Sequence, residues 1–425
     1  MTDPEEQTHA TPRRPSVVTS EPQSARSAYR ARYGREVTGN PTSRDYNKAS
    51  VLDVVLARAP LTRNELIELT GLSKATVSRA VEELRADGFV VNGGVDEVAG
   101  RGRRSTYLDV PATTGHVAGI SFGVQTTCVL VADLRGREVQ HVIVPTVDHH
   151  EVRNAAAWLV DLMAEASECA EGPLRQIVAA VPGRVRTGTE IFGPAESMKI
   201  FAGSGLQRSL ADLVNAPVLL DSDANASLLG ILTDDATLRN AALFSLSSIL
   251  NFASCTDQEL VRGRTPAFGD MGVLFSGVGN EILDGLLSTS GLLRFARGRG
   301  LDLERIEDLW LETHDEVSRA EVLDAFTTAI VTAVSAVAVT LDPESVYFVG
   351  RLRPLVDEVL PEVRRRLDKR LTTVPEVKAA TQVLGLSVAR GAMYACLRMA
   401  RDRLRDAVLE ARRQGQHSEQ SAPAF

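Results

Sequence analysis

Lys74, Thr76, Ser78 and Arg79 stand close together, and each can donate a hydrogen bond to a phosphate oxygen or a base edge. A second basic set, Arg101, Arg103 and Arg104, is interleaved with glycine in Gly100-Arg101-Gly102-Arg103-Arg104. This chemistry suits recognition of duplex DNA, where phosphate contacts position a protein and base-edge contacts specify the sequence. It works only if rigid elements aim the side chains.

The surrounding residues predict those elements. Thr62 followed by Glu65 forms a capping box opening a short helix, whose expected buried side is Leu66, Ile67 and Leu69. Thr70-Gly71 ends it, because glycine tolerates the left-handed conformation of a tight inter-helix turn. Ser73 caps a second helix, with Val77, Val81 and Leu84 on its inner face and the basic and hydroxyl residues near its N-terminus. An earlier helix is expected over 48–59, with Val51, Leu52, Val55 and Leu56 on one face. Downstream, Phe89-Val90-Val91 and a run ending at Thr106-Tyr107-Leu108 flank Asn92-Gly93, which marks a hairpin carrying the arginine-rich loop. Three helices and a hairpin make a winged helix-turn-helix, whose recognition helix presents its N-terminal residues to the major groove. Gly-Arg-Gly-Arg-Arg is slim enough for a minor groove, and equally able to touch phosphate alone. A small helical packing module with an ordinary solvated face would account for the apolar register, though not for the basic wing.

With 425 residues, 44% of them hydrophobic, the chain can bury large cores in two or three domains. No apolar stretch is expected to approach the roughly 20 residues that cross a bilayer, and no secretory h-region is expected at the N-terminus. The four cysteines, Cys128, Cys169, Cys255 and Cys396, lack CxxC spacing; this suits a reducing cytoplasm and argues against structural zinc or a disulfide framework. Net charge is −8, and 46–110 holds nine basic and nine acidic residues. Counterion release depends on local phosphate contacts, so placement outweighs this balance.

Residues 1–45, rich in Pro, Ser, Thr and Arg, are expected to be a disordered tail, with Arg26, Arg30, Arg32 and Arg35 either an accessory arm for DNA or part of a plain flexible tail. The winged helix is assigned to 46–110, an α/β body to 111–410 and a flexible tail to 411–425. Within the body, strands are expected over 117–132 (interrupted by Gly123), 139–145, 177–181, 218–220, 241–246 and 346–350, and long helices over 155–170, 318–341, 355–370 and from about 387. Strands alternating with helices after an opening meander indicate two α/β lobes, about 111–222 plus the C-terminal helix, and 223–385.

The body resembles the ROK family of bacterial repressors and sugar kinases. The resemblance covers about residues 46 to 400. It rests on the strand-Gly-strand opening, Val181-Pro182-Gly183, Asp221-Ser222-Asp223-Ala224-Asn225-Ala226-Ser227, Leu341-Asp342-Pro343-Glu344 and Gly391-Ala392. It implies a two-lobed actin/hexokinase-like (ribonuclease H-like) ATPase fold. It also implies that Asp223 corresponds to the general base that accepts a sugar hydroxyl proton, and Asn225 to a sugar-contacting residue. The family's Asp-x-Gly-Gly-Thr phosphate loop reads Ser121-Phe122-Gly123-Val124-Gln125 here, and its second glycine loop reads Ser247-Ser248-Ile249-Leu250-Asn251-Phe252-Ala253. Without the acidic residue and glycines, and with branched or aromatic side chains expected in the nucleotide's space, ATP binding is not expected. Gly-Glu-x-Gly-His has become Gly269-Asp270-Met271-Gly272-Val273, and the cysteine segment roughly Gly277-Val278-Gly279-Asn280-Glu281-Ile282, so neither zinc nor another cofactor is expected. Asp270 remains able to meet a ligand hydroxyl, while Asp223 and Asn225 could instead cap and stabilise a strand-to-helix turn.

The expectation is a non-enzymatic cytoplasmic DNA-binding regulator, a repressor by preference. It binds operator DNA as a homodimer or larger oligomer, its ROK body serving dimerisation and possible carbohydrate-type sensing through Asp223, Asn225 and Asp270. Competing readings are an active ATP-dependent sugar kinase carrying a DNA-binding module, and a scaffold whose winged helix binds protein.

Overall fold

A computed structural model describes residues 42–95, 106–265, 267–310, 315–380 and 385–410. The N-terminal module comprises α1 (Ser43–Arg58), β1 (Leu61–Thr62), α2 (Arg63–Thr70), α3 (Lys74–Ala86), β2 (Val91–Val95) and β3 (Thr106–Asp109), its strands ordered β1-β3-β2. Capping chemistry sets the helix boundaries. Thr62 accepts from the Glu65 N–H at 3.3 Å while Glu65 accepts from the Thr62 N–H at 2.6 Å. Gly71 closes α2 at φ +67°, and Ser73 caps α3 by accepting from Thr76 N–H at 3.2 Å.

Three expectations for this module need correction, and a fourth is not addressed by the structure. First, α1 begins at Ser43, inside the stretch assigned to the tail, because Thr42 and Asp45 form another capping box. Second, Leu69 is 52% exposed: α2 is too short to turn more than Leu66 fully inward. Third, Asn92-Gly93 is not the hairpin turn; it lies within β2, with Asn92 paired to Leu108. Fourth, the wing arginines Arg101, Arg103 and Arg104, like the tails at 1–41 and 411–425, lie outside the described residues.

The body begins with β4 (His116–Phe122), β5 (Thr126–Asp133), β6 (Glu138–Pro145), α4 (Val152–Ala166), β7 (Leu174–Val181), β8 (Arg184–Arg186), β9 (Glu190–Phe192), α5 (Gly205–Leu213) and β10 (Val218–Ser222). It continues with α6 (Asp223–Asp234), β11 (Ala241–Leu246), β12 (Leu250–Thr256), β13 (Glu259–Leu260), α7 (Leu283–Leu287), α8 (Thr289–Gly298), α9 (Glu316–Leu341), β14 (Ser345–Val349), α10 (Arg353–Arg370), β15 (Glu376–Ala379) and α11 (Leu386–Glu410). Two mixed five-stranded sheets result, β10-β7-β4-β5-β6 and β13-β12-β11-β14-β15. In each, an antiparallel hairpin joins a parallel set: β4 runs antiparallel to β5 and parallel to β7, as β11 does to β12 and β14. The inner strands β4 and β11 are buried along their whole length because both faces are covered.

The helix α9 departs from expectation in composition: it is long and apolar enough to match a membrane-crossing segment, with a mean hydropathy of 1.9 over its most apolar 18 residues. Its Val322, Phe326, Ile330 and Val334 are buried in the second lobe's core beside Phe244 and Phe348, so core packing accounts for the apolar run. A different core lies under the outer face of the first sheet, where Phe122 packs edge-on against Phe201 at 5.0 Å.

The 25-residue α11 ties the molecule together. Its first half packs on α6 and the first sheet, and its last turns pack on α1. Leu404, Val408 and Leu409 share one continuous core with Val51, Val55 and Leu84 of the winged helix. Arg405, 2% exposed, pairs with Asp402 at 2.8 Å and reaches Asp53 of α1 at 3.6 Å. Arg135, in the β5–β6 turn, donates to Asp109 at the end of β3 at 2.6 Å.

Candidate nucleic-acid interface and inter-lobe cleft

The sequence of α3 divides it into two faces. Val77, Ala80, Val81 and Leu84 are buried, whereas Lys74 and Arg79 are exposed and, among the described residues, make no ion pair. Thr76 and Ser78 are half-buried between them, and the Thr76 hydroxyl also shares a hydrogen bond with Ser73 Oγ at 2.9 Å. The carboxylates that could oppose an incoming phosphate are occupied: Glu82 pairs with Arg63 and Arg85, and Glu83 with Arg44. Arg44 and Asn47 of α1 line a shallow depression with Thr76 and Arg79. Neither was singled out from the sequence; the Thr42–Asp45 capping box was the signal that would have brought α1 forward to include them.

Two of the body's candidate residues, Asp223 and Asn225, sit where β10 meets α6. Ser222 caps α6 by accepting from Asn225 N–H at 3.1 Å, which places Asp223 in the first helical turn. One Asp223 oxygen accepts from Asn251 Nδ2 at 2.7 Å and from the Ala224 N–H at 2.8 Å; Ser245 Oγ lies 3.4 Å from the other. Burial pushes this carboxyl up to about 6, against the opposing pull of those donors. Asp221, 4% exposed, accepts from Asn225 Nδ2 at 2.7 Å and from Arg262 at 2.7 Å. The Asn225 amide is therefore turned toward the end of β10, while Asp270 pairs with Arg184 at 2.8 Å.

The three expected ligand residues do not face one space. Asp223 lines a cavity of about 110 Å³ with Gly123, Val124, Ser247 and Ser248, whereas Asn225 lines one of about 300 Å³ with Arg184 and Arg262. The first is well under the roughly 300 Å³ at which small-molecule pockets begin. Leu250 is buried, and Phe252 packs on Phe244 with centroids 5.1 Å apart while also lining the larger of the two cavities. Leu246 pairs with Leu250 across a tight hairpin, and Asn251 projects onto Asp223. Glu281 is exposed in a loop. Among the described residues no three His, Cys, Asp or Glu side chains are grouped as metal ligands would be. Arg184, Arg262 and Asn251 were missed in the sequence because β8, the loop after β13, and β12 meet only in the folded body.

Comparison with known proteins agrees with this architecture. Residues 45–102 match a sequence model of the MarR family. The xylose repressor of Caldicellulosiruptor bescii is 26% identical over 242 residues, 55% of this chain and 60% of the relative; that of Bacillus subtilis strain 168 is 27% identical over 236 residues, 53% and 59%. The chain thus spans about 60% of the length of these curated relatives. Among solved structures, a ROK family transcriptional regulator described as a homologue of the E. coli MLC protein superposes with a TM-score of 0.65 at 15% identity, over 86% of this chain and 98% of that one. A ROK family glucokinase from Streptomyces griseus, in complex with glucose and AMPPNP, superposes with a TM-score of 0.55 at 18% identity, over 67% and 100%. At these identities the structural likenesses establish a shared fold, an N-terminal winged helix and a two-lobed sugar-kinase-like body. The ROK sequence model matches residues 117–397, well over half of the chain, and the chain belongs to the ROK family.

Proposed function

We propose that the chain is a transcriptional repressor that binds operator DNA through its winged helix, and that its ROK body senses a carbohydrate-type effector without phosphorylating it. The observation that carries this reading is the outward N-terminal end of α3: Lys74 and Arg79 are exposed without ion pairs among the described residues, on a helix whose other face is core. Lys74, Thr76, Ser78 and Arg79 then meet the major groove and flanking phosphates, with Arg101, Arg103 and Arg104 on the wing. A homodimer in the cytoplasm, spanning two half-sites, completes the assignment. The xylose repressors among its relatives support repression and a sugar-related signal.

The helix α11 supplies a route from body to DNA-binding module. It lies against α6, whose first turn holds Asp223 and Asn225, and its far end shares the core of α1. A ligand that shifts α6 therefore acts on the support of the winged helix. The retained Asp223, with its raised affinity for a proton, favours a kinase reading; the Asn251 contact and the closed hairpin oppose it.

Fluorescence anisotropy with duplexes from the upstream region of its own gene, across a salt series, tests the proposal. Tight binding with a steep salt dependence is expected, together with no sugar-dependent ADP release in a coupled assay. Salt-insensitive or absent binding, or robust sugar phosphorylation, sinks it.

A further inference from the structure

The larger cavity, about 300 Å³, is walled by four arginines from two segments that meet only in the folded protein: Arg184 and Arg186 of β8, and Arg262 and Arg264 of the loop after β13. Three are matched by carboxylates: Arg184 by Asp270, Arg186 by Glu190 and Arg262 by Asp221. Arg264 is exposed and has no ion pair among the described residues, so the wall carries one positive charge in excess.

Donors outnumber acceptors still further. Each guanidinium has five N–H groups, and one carboxylate engages two or three of them at most. The Arg184 Nε is buried with no hydrogen-bond partner among the described residues, and buried donors are rarely left unpaired in native structures. The backbone also makes room for this side chain. Gly193, at φ +51°, lies so close that a Cβ there would sit 2.7 Å from an Arg184 terminal nitrogen. Acceptors are scarcer: Asp221 is already held by Arg262 and Asn225. Phe268 is 39% exposed and offers a flat apolar face on the same wall.

A neutral sugar brings hydroxyls that must both donate and accept, and it leaves these surplus donors unmatched. A phosphate or carboxylate brings acceptors only, in the planar or tetrahedral array that arginine engages best. We propose that this cavity binds an anionic polyol, a sugar carrying a phosphoryl or carboxylate group, with the anion on Arg264 and Arg184. The polyol then lies along Phe268 toward Asn225. The inference rests on the reading of the body as a sensor and names the chemical class of its ligand.

Calorimetry on the full chain without DNA tests it, using glucose, xylose, glucose 6-phosphate, glucuronate and inorganic phosphate. At least one of the two sugar anions is expected to bind more than about tenfold tighter than either neutral sugar, and which of them does so identifies the anionic group. Arg264→Ala should weaken that binding about tenfold, the scale of one lost charge-assisted contact, and Arg264→Lys should restore part of it. Because Arg264 is exposed, thermal melts of these variants should match the parent, which separates loss of binding from loss of fold. Neutral sugars binding as tightly as the anions, inorganic phosphate binding as tightly as the sugar anions, an unaffected Arg264→Ala variant, or no binding by any probe would each overturn the assignment. Operator binding is measured separately without ligand, so a failed DNA assay leaves this result standing, and the reverse.

Discussion

Asn251 of β12 donates its side-chain amide to the Asp223 carboxylate at 2.7 Å, joining the second lobe's hairpin to the first turn of α6. In a kinase that carboxylate must be free to take a hydroxyl proton. Here it is a half-buried acid held by an amide from β12.

That acid makes stability depend on pH with a definite sign. Asp223 binds its proton up to about pH 6 in the folded chain, against 3.8 in a free side chain. Between those values the folded state holds more protons than the unfolded one, so this group's contribution is greatest below the lower value. It declines as pH rises and is gone above the higher. Asp223→Asn removes the dependence. Its unfolding free energy relative to the parent should rise by up to roughly 3 kcal/mol from pH 4 to pH 7, measured by urea titration at each pH. A flat difference would show that the acid is ionised at ordinary cost.

The neighbouring amide can be tested separately. Asn251→Ala removes a donor that favours the charged form, so Asp223 should then titrate above about 6, as read from its carboxyl carbon shift by NMR. A downward move would mean that the cavity fills with water once the amide is gone.

At the DNA interface, Lys74→Ala and Arg79→Ala should each weaken operator binding and lower the salt slope by about 1. Arg85 is the control from the same helix: it pairs with Glu82 at 3.3 Å near the helix C-terminus, and Arg85→Ala should leave affinity and slope unchanged. Equal effects of all three would move the interface off the N-terminal end of α3.

The parts of this architecture legible in sequence are those governed by local chemistry. The Thr62–Glu65 box, Gly71 and Ser73 fix α2, its turn and α3 within a few residues, and all three sit where expected. Local cues failed where a distant partner overrides them. Asn92-Gly93 reads as a turn, yet it is extended because Leu108 of β3 pairs with Asn92. The hydropathy of α9 says nothing about what surrounds it, whereas packing against Phe244 and Phe348 does. Arg184 and Arg262 are separated by a whole sheet connection, and no spacing rule brings them to one cavity. Motif resemblance points to altered phosphate loops, but the direction of Phe252, toward Phe244, depends on strand alternation within the folded lobe.

The packing of α11 on α6 gives a substitution whose sign opposes its helix propensity. Gly391→Ala would normally stabilise a helix interior by about 0.5–1 kcal/mol. At this crossing a Cβ would stand 1.7 Å from the Ala226 carbonyl oxygen, so the helices must separate. A net loss of at least about 1–3 kcal/mol is expected in urea unfolding. Gly298→Ala, with nothing within 4 Å of the added atom, is the control and should be neutral or stabilising.

The far end of α11 yields the last expectation. Arg405 is the buried cation between body and winged helix, held by Asp402 within α11 and within reach of Asp53 of α1. Replacing it with Met keeps much of the volume but leaves carboxylates facing one another in a partly buried seam, at about 3–5 kcal/mol. The Asp402 contact is local to one helix, so only the Asp53 contact spans the two parts. A double-mutant cycle of Arg405→Met and Asp53→Asn isolates it: the second substitution removes one uncompensated charge and should recover about 1 kcal/mol or more of the loss. If the body transmits its state to DNA through this helix, both single variants should also shrink the effector's influence on operator affinity while leaving ligand affinity measured without DNA intact. Full retention of that influence would place the coupling elsewhere, with the Arg135–Asp109 contact the next to remove.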